Sequence, residues 1–258
     1  MDFIIEWLPV EHIRGNNMNF KDIKIMIGTP IHQDVKAEYM ISLLETVYAC
    51  EASDVWLEQE FVLGSSIIED ARNDLVKRFM DSECTHLLFI DSDISWSVND
   101  IRELIKYSDN EKYLIVGGTY PKKEIDYEWL KKYIKSGYNI DDIENQIGLL
   151  NNDMFRPINQ ENNGILKVKH LPMGFVMINK RVFIEFEQKY KNLKYYRDNE
   201  WKYWYFHNER EYGEDTNFCK MYREINGNIW LIPWLELSHI GNFKYKRNIK
   251  GNKLMMEV

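Results

Sequence analysis

Between residues 23 and 118, short apolar runs alternate with segments of helical period, and that alternation leaves few folds open. "IKIMIG" (residues 23–28) reads as a buried strand, broken at once by Thr29-Pro30. Val35, Tyr39, Leu43 and Val47 then follow helical spacing to about Ala52. "VWLEQEFVL" predicts a second strand, and Gly64-Ser65-Ser66 opens a helix through "IIEDARNDLVKRFM". "HLLFI" is a third strand. Ser97 is placed to cap a helix over "VNDIRELIKY", with Asp100 at the position of a capping acid, and "KYLIVGG" gives a fourth strand ending at Gly117-Gly118. Strand, helix, strand, helix predicts an α/β domain whose central sheet is mostly parallel and flanked by helices. In such sheets ligands bind beyond the carboxyl ends of the strands. Thr29-Pro30, Asp91-Ser92-Asp93 and Gly118-Thr119-Tyr120-Pro121 all fall at those ends.

The rest of the chain is less regular. Residues 122–160 are polar and asparagine-rich, with a helix expected near "YEWLKKYIKSG" and a variable loop after it. "ILKVKHL" and "GFVMINK" read as strands flanking the turn "PMG", and "RVFIEFEQKY" as a helix. An aromatic run, "WKYWYF", precedes "GEDTNFCKMYREING", a helix with acids in its first turn and Gly227 near its end. Residues 1–20 have no clear period and read as an extension, and residues 246–258 as a basic tail. A length of 258 residues suits one large domain, and neither a repeat nor a strong linker divides it.

Composition narrows the function classes. With 45% hydrophobic and 29% charged residues the chain is not globally disordered. A net charge of −8 argues against a general nucleic-acid coat, because such binding neutralises phosphates. Cys50, Cys84 and Cys219 are odd in number, far apart and without a CxxC, as expected of reduced thiols and not of a zinc cluster. The first residues carry acids and no basic leader, and no uncharged run approaches membrane-spanning length. These features predict a soluble, cytoplasmic protein, and nothing in them speaks to oligomeric state.

Asp91 and Asp93 pose the sharpest question. Two carboxylates one residue apart at the end of an apolar strand repel each other and lose hydration, so a positive partner is required. A helix N-terminus, an arginine or a divalent metal would serve. Mg²⁺ or Mn²⁺ takes such oxygen ligands and fills its shell with phosphate oxygens and water. An acidic turn with no ligand is the plain alternative.

At this point the chain resembles a family. "ARNDLVKRFMDSECTHLLFIDSDISW" is similar to the nucleotide-sugar glycosyltransferases of GT-A fold, especially the Anp1-like and viral or phage branches. The similarity continues in order through "IVGGTYPKK", "MGFVMI", "GEDTNFCKMYREINGNIWLIP" and "LSHIG", over about residues 23–120 and 165–242. It implies a Rossmann-like GT-A domain over residues 21–245, with a nucleotide-binding half (21–120) and an acceptor half (121–245). It also implies a nucleoside-diphosphate donor, a Mn²⁺ or Mg²⁺ ion, and a glycan or other hydroxyl acceptor, with the host cytoplasm as location for a viral member.

Residue by residue, the resemblance places Thr29 and Pro30 at the base and ribose, and Arg72 and Asn73 on the helix bordering the nucleotide. Asp91, Ser92 and Asp93 fall in the motif for ribose and metal, with Asp93 the expected direct ligand and His239 a late imidazole ligand. Gly118 and Tyr120, at the end of the fourth strand, are expected at the nucleotide donor, and Gly174 and Phe175 match the turn near donor sugar and acceptor. Glu214 and Asp215 match the acidic pair from which an inverting enzyme draws its base, Asp215 being the choice; both acids would also suit a helix dipole. A uridine diphosphate donor is expected on the resemblance alone. Residues 122–160 and 201–206 match nothing carried over, and acceptor recognition is expected there. Two other classes stay open: a sugar-nucleotide nucleotidyltransferase, disfavoured because "IMIGTPIHQD" lacks a basic, glycine-rich phosphate loop, and a non-catalytic sugar- or nucleotide-binding protein.

Overall fold

The structure, a computed structural model, describes residues 23–108, 110–137, 143, 148 and 157–246. The extension 1–20, most of the basic tail and much of the 122–160 segment lie outside the described residues. In chain order the strands and helices of the first half are β1 (Lys24–Ile31), α1 (Ala37–Ala52), β2 (Trp56–Leu63), α2 (Ile68–Asp81), β3 (His86–Ile90), β4 (Ile94–Ser95), α3 (Val98–Ser108) and β5 (Ile115–Gly117). The second half holds α4 (Tyr127–Lys135), β6 (Pro157–Gln160), β7 (Leu166–Val168), β8 (Phe175–Asn179), α5 (Lys180–Lys189), β9 (Lys194–Arg197), β10 (Glu200–Tyr203), α6 (Glu214–Glu224), β11 (Ile229–Leu231), β12 (Ser238–Ile240) and β13 (Lys244–Lys246).

The main sheet has the order β2-β1-β3-β8-β5-β11-β7-β6. Pairing directions set six of its eight strands pointing one way, with β8 and β7 opposed. The fold is therefore α/β with a mostly parallel central sheet flanked by helices. The buried strands alternate between two cores. Met26, Leu87 and Phe89 pack on one face against Leu75, Phe79, Phe183 and Phe218 of α2, α5 and α6. Ile25, Ile27, Leu88 and Ile90 pack on the other, against Tyr39, Leu43, Ile101 and Leu104 of α1 and α3. Strands covered on both faces have no polar side, which is why they read as unbroken apolar runs.

Two local expectations change. The first strand does not stop at Thr29-Pro30 but runs to Ile31, paired with β2 as far as Ile31↔Leu63. Its pairing with β3 ends at Gly28, so Pro30 sits where β1 is bonded on one side only, the situation in which a residue without an N–H is tolerated. Second, the run "WKYWYF" opens in the second strand of an antiparallel hairpin, β9–β10. The hairpin turn is Asp198-Asn199, both at positive φ, a conformation that asparagine and aspartate adopt more readily than most residues.

Two features position the site. β8 enters the sheet antiparallel between β3 and β5, so its first residues lie at the carboxyl ends of both neighbours. A small second sheet, β13-β12-β4, pairs Ser238 and His239 with Ser95 and Ile94, just past the Asp91–Asp93 turn. The Ile240 N–H donates to the Asp93 carbonyl at 2.7 Å, which ties the late strand to the early turn.

Candidate active site

The positive partner required by Asp91 is an arginine. Arg72, on α2, is 3% exposed and lies beneath the turn that follows β3. Its Nη2 donates to Asp91 Oδ1 at 3.1 Å and Oδ2 at 3.4 Å, and its Nη1 to the Met173 carbonyl at 3.3 Å. The guanidinium also lies over the Phe89 ring, 5.3 Å from its centroid. Its Nε is 3.5 Å from Glu214 Oε1 and, although buried, donates no hydrogen bond. One buried cation thus serves two carboxylates from distant parts of the chain. Burial raises the Glu214 pKa; Arg72 opposes the shift, and neighbouring Asp215 and Asp91 add to it.

Asp93 belongs to a different set of contacts. Its Oδ2 accepts from the Lys123 ammonium, and its Oδ1 lies 3.5 Å from His239 Nε2. Burial alone would raise its pKa, but the bonds and charges of His239 and Lys123 outweigh burial and hold it at about 2. His239 Nδ1 lies 2.8 Å from the Pro121 carbonyl, an acceptor that requires the proton on that nitrogen. Nε2 is thereby left facing Asp93. The Tyr120 ring meets the imidazole edge to face at 5.2 Å.

Between these groups passes the Met173-Gly174-Phe175 backbone. The Asp91 N–H donates to the Gly174 carbonyl at 3.1 Å, and the Gly174 N–H to Tyr120 Oη at 3.0 Å. A Cβ on Gly174 would stand 2.2 Å from Tyr120 Oη and 2.6 Å from Asp91 Oδ2, so any other residue would displace one or both side chains. Tyr120 is partly buried, and the desolvation of its hydroxyl, with Asp91 adjacent, pushes its phenol far above the ordinary range, so it acts as a neutral hydrogen-bonding group.

Beside this backbone lies a cleft of about 230 Å³. Pro30 and His32 from the end of β1, Ser65 and Ser66 after β2, and Asp91, Ser92 and Asp93 contribute to its walls. Of the residues expected at the donor, Pro30, Ser92 and both aspartates line it. Thr29 does not: it is fully buried, with its hydroxyl bonded to Tyr39 Oη. Asn73 is also buried and clamps the aromatic segment, donating to the Phe206 carbonyl at 2.7 Å and accepting its N–H at 3.0 Å. Phe175 is a core residue whose carbonyl accepts from Gly118 at 3.0 Å. Gly118 packs where a Cβ would lie 2.6 Å from Leu237. These four hold the walls and present no side-chain polar atom to the cleft.

Glu214 and Asp215 both sit in the first turn of α6, with Gly213 as its N-cap. Asp215 Oδ1 accepts from the Thr216 N–H at 2.6 Å, whereas Glu214 is turned toward Arg72. Sequence reasoning missed His32, Ser65, Ser66 and Lys123. The serines follow a strand on the ligand-binding edge, and Lys123 directly follows "GGTYPK", so position carried a signal in both cases.

The donor set bears on a metal. Among the described residues no three His, Cys, Asp or Glu side chains converge to hold one, and Asp91 is turned to Arg72. Asp93 and His239 do converge, as a carboxylate and an imidazole whose far nitrogen is anchored, the arrangement that orients a ligating histidine. Two protein ligands fit a cation that draws its remaining oxygens from a diphosphate and water.

No protein-family model matches the sequence, and no curated protein matches it. Among solved structures, the crystal structure of A197 from STIV is similar over 85% of this chain and 86% of that one, at 17% identity and a TM-score of 0.49. The crystal structure of GalNAc-T7 with UDP, GalNAc and Mn²⁺ is similar over 85% of this chain and 44% of that one, at 10% identity and a TM-score of 0.49. A crystal structure of a glycosyltransferase involved in the glycosylation of the major capsid of PBCV-1 is similar over 66% of each chain, at 10% identity and a TM-score of 0.32. No helix among the described residues is long and apolar enough to cross a membrane, and all three cysteines are free and buried.

Proposed function

We propose that the protein is a metal-dependent glycosyltransferase that moves a sugar from a nucleoside diphosphate, UDP in the first instance, to an acceptor hydroxyl with inversion. The observation that carries this reading is the meeting of two charge sets at one sheet edge: Arg72 with Asp91 and Glu214, and Asp93 with His239. A cation-binding pair beside a walled cleft suits a diphosphate; a nucleotide base would lie toward His32, Ser65 and Ser66. Asp93 and His239 would hold Mn²⁺ or Mg²⁺, which supplies positive charge to the leaving diphosphate. Arg72 orients Asp91 and leaves its outer edge toward the ribose. Tyr120 and Gly174 shape the floor on which the sugar lies. Asp215 is the proposed base, taking the acceptor proton, because Glu214 is committed to Arg72 and Asp215 is not.

The test is turnover of a panel of sugar nucleotides with Mn²⁺, followed by hydrolysis or transfer. A UDP-sugar should be consumed, and EDTA should stop the reaction. Asp215→Asn should keep donor affinity and lose kcat by about 10²- to 10⁴-fold, the usual share of a positioned base. A collapse in Glu214→Gln with Asp215→Asn at the wild-type rate would move the base by one residue. A nucleotidyltransferase would instead consume sugar phosphate and nucleoside triphosphate, and a binding protein would consume nothing.

A further inference from the structure

Among the described residues, Lys123 is a cation in contact with Asp93 to which the sequence assigned no role. It follows β5 in the loop that also carries Tyr120 and Pro121, and its ammonium bonds Asp93 Oδ2 while His239 faces Oδ1. Its stem lies over the turn after β12: a Cβ on Gly241 would stand 3.2 Å from Lys123 Cδ. The side chain is 41% exposed, so the head group has room to move while the stem keeps its seat. A carboxylate oxygen that receives an ammonium cannot also receive a divalent cation without bringing two positive charges into contact. A cation held between Asp93 Oδ1 and His239 Nε2 would share the carboxylate with the ammonium on Oδ2, and the repulsion between the two positive charges favours the ammonium's departure.

We propose that Lys123 is a diphosphate-binding residue, parked on Asp93 in the free protein and handed to the donor's diphosphate when a divalent cation takes Asp93. The inference rests on the glycosyltransferase reading and deepens it. The physical reason is charge. Displaced from Asp93, the ammonium sits beside a metal that carries phosphate oxygens, the densest anion then in reach. Lys123 thereby lowers affinity for the metal alone and raises affinity for metal and nucleotide together, so that the ion loads with the donor and not before it.

Calorimetry with Mn²⁺ alone, and with UDP at saturating Mn²⁺, tests this on wild type, Lys123→Gln, Lys123→Arg and Lys122→Gln. Lys123→Gln should bind Mn²⁺ alone several-fold more tightly and bind UDP with Mn²⁺ about tenfold more weakly, the scale of one charge-assisted hydrogen bond. Lys123→Arg should restore UDP binding. Lys122→Gln, which removes the same charge one residue away, should match wild type in both measurements. The opposite signs separate this role from a structural one, since a damaged site would weaken both ligands. Unchanged UDP affinity in Lys123→Gln, or a fall in both affinities, overturns the assignment while the glycosyltransferase reading stands. If wild type itself binds neither Mn²⁺ nor UDP, that reading fails and the role of Lys123 falls with it.

Discussion

Arg72 is the residue on which the site's electrostatics depend. Two carboxylates, one just past β3 and one in the first turn of α6, share a single buried guanidinium. Arg72→Met should keep much of the packing against Phe89 but leave Asp91 and Glu214 uncompensated. A loss of about 3–5 kcal/mol in urea unfolding at pH 7 is expected, the cost of breaking a buried pair from one side. The sign of its pH dependence is the sharper check. Without the arginine nothing opposes the burial that raises the Glu214 pKa, so protonation of Glu214 favours the folded state. The deficit relative to wild type should shrink from pH 7 to pH 5, and a deficit that stays constant would show that lost packing is the cause. The resemblance carried Arg72 to the nucleotide pocket, but its double pairing depends on Glu214, 142 positions away, a contact no local pattern records.

At the scale of elements, α3 links the two sheets. Ser97 and Asp100 form the capping box expected from sequence: Asp100 Oδ2 accepts from the Ser97 N–H at 2.8 Å and from its hydroxyl at 2.7 Å. The other oxygen of Asp100 does what sequence could not suggest. It accepts from the Glu236 N–H at 3.0 Å, anchoring the segment that leads into β12 and His239. Asp100 is 4% exposed, so Asp100→Ala strips a helix cap and leaves buried donors unpaired. A stability loss of about 2–4 kcal/mol is expected from the two effects together. Weaker Mn²⁺ binding should accompany it, because β12 loses its anchor. Stability loss with unchanged Mn²⁺ affinity would confine Asp100 to capping.

For the molecule as a whole, acid sensitivity should originate at the end of the sheet away from the site. His86 opens β3, is 4% exposed, and lies between Thr85, the Ser108 carbonyl and Asn179. Burial pushes its pKa down to about 4, with the Ser108 carbonyl opposing the shift. Between about 6.5 and 4 the unfolded chain therefore binds a proton that the folded chain does not. Stability should fall by up to about 3 kcal/mol as pH drops through that window. Denaturant unfolding of His86→Gln should show a lower plateau at neutral pH and a flatter profile across the same range. A profile as steep as wild type would assign the acid sensitivity elsewhere. Asp93, held at about 2, adds its own loss in a lower window, as pH falls from the ordinary carboxylate range toward 2.

The α/β class, the helices and core strands of the first half, the capping of α3 and the edge at which Asp91 and Asp93 emerge were all legible in the order of residues. Those features follow from local spacing: apolar period sets an element, and turn residues end it. Packing between distant segments sets the rest: β8 enters antiparallel between β3 and β5, β12 pairs with β4, and the two aspartates have different cations. An apolar strand buried on both faces carries no mark of its neighbours or its direction, because either arrangement buries the same side chains. The same holds for Thr29, Asn73 and Phe175, which lie near the site in sequence pattern but turn their side chains into the walls. Whether a side chain faces a cleft or the core behind it is set by register and packing between distant segments, and residue order alone does not encode that choice in any short window.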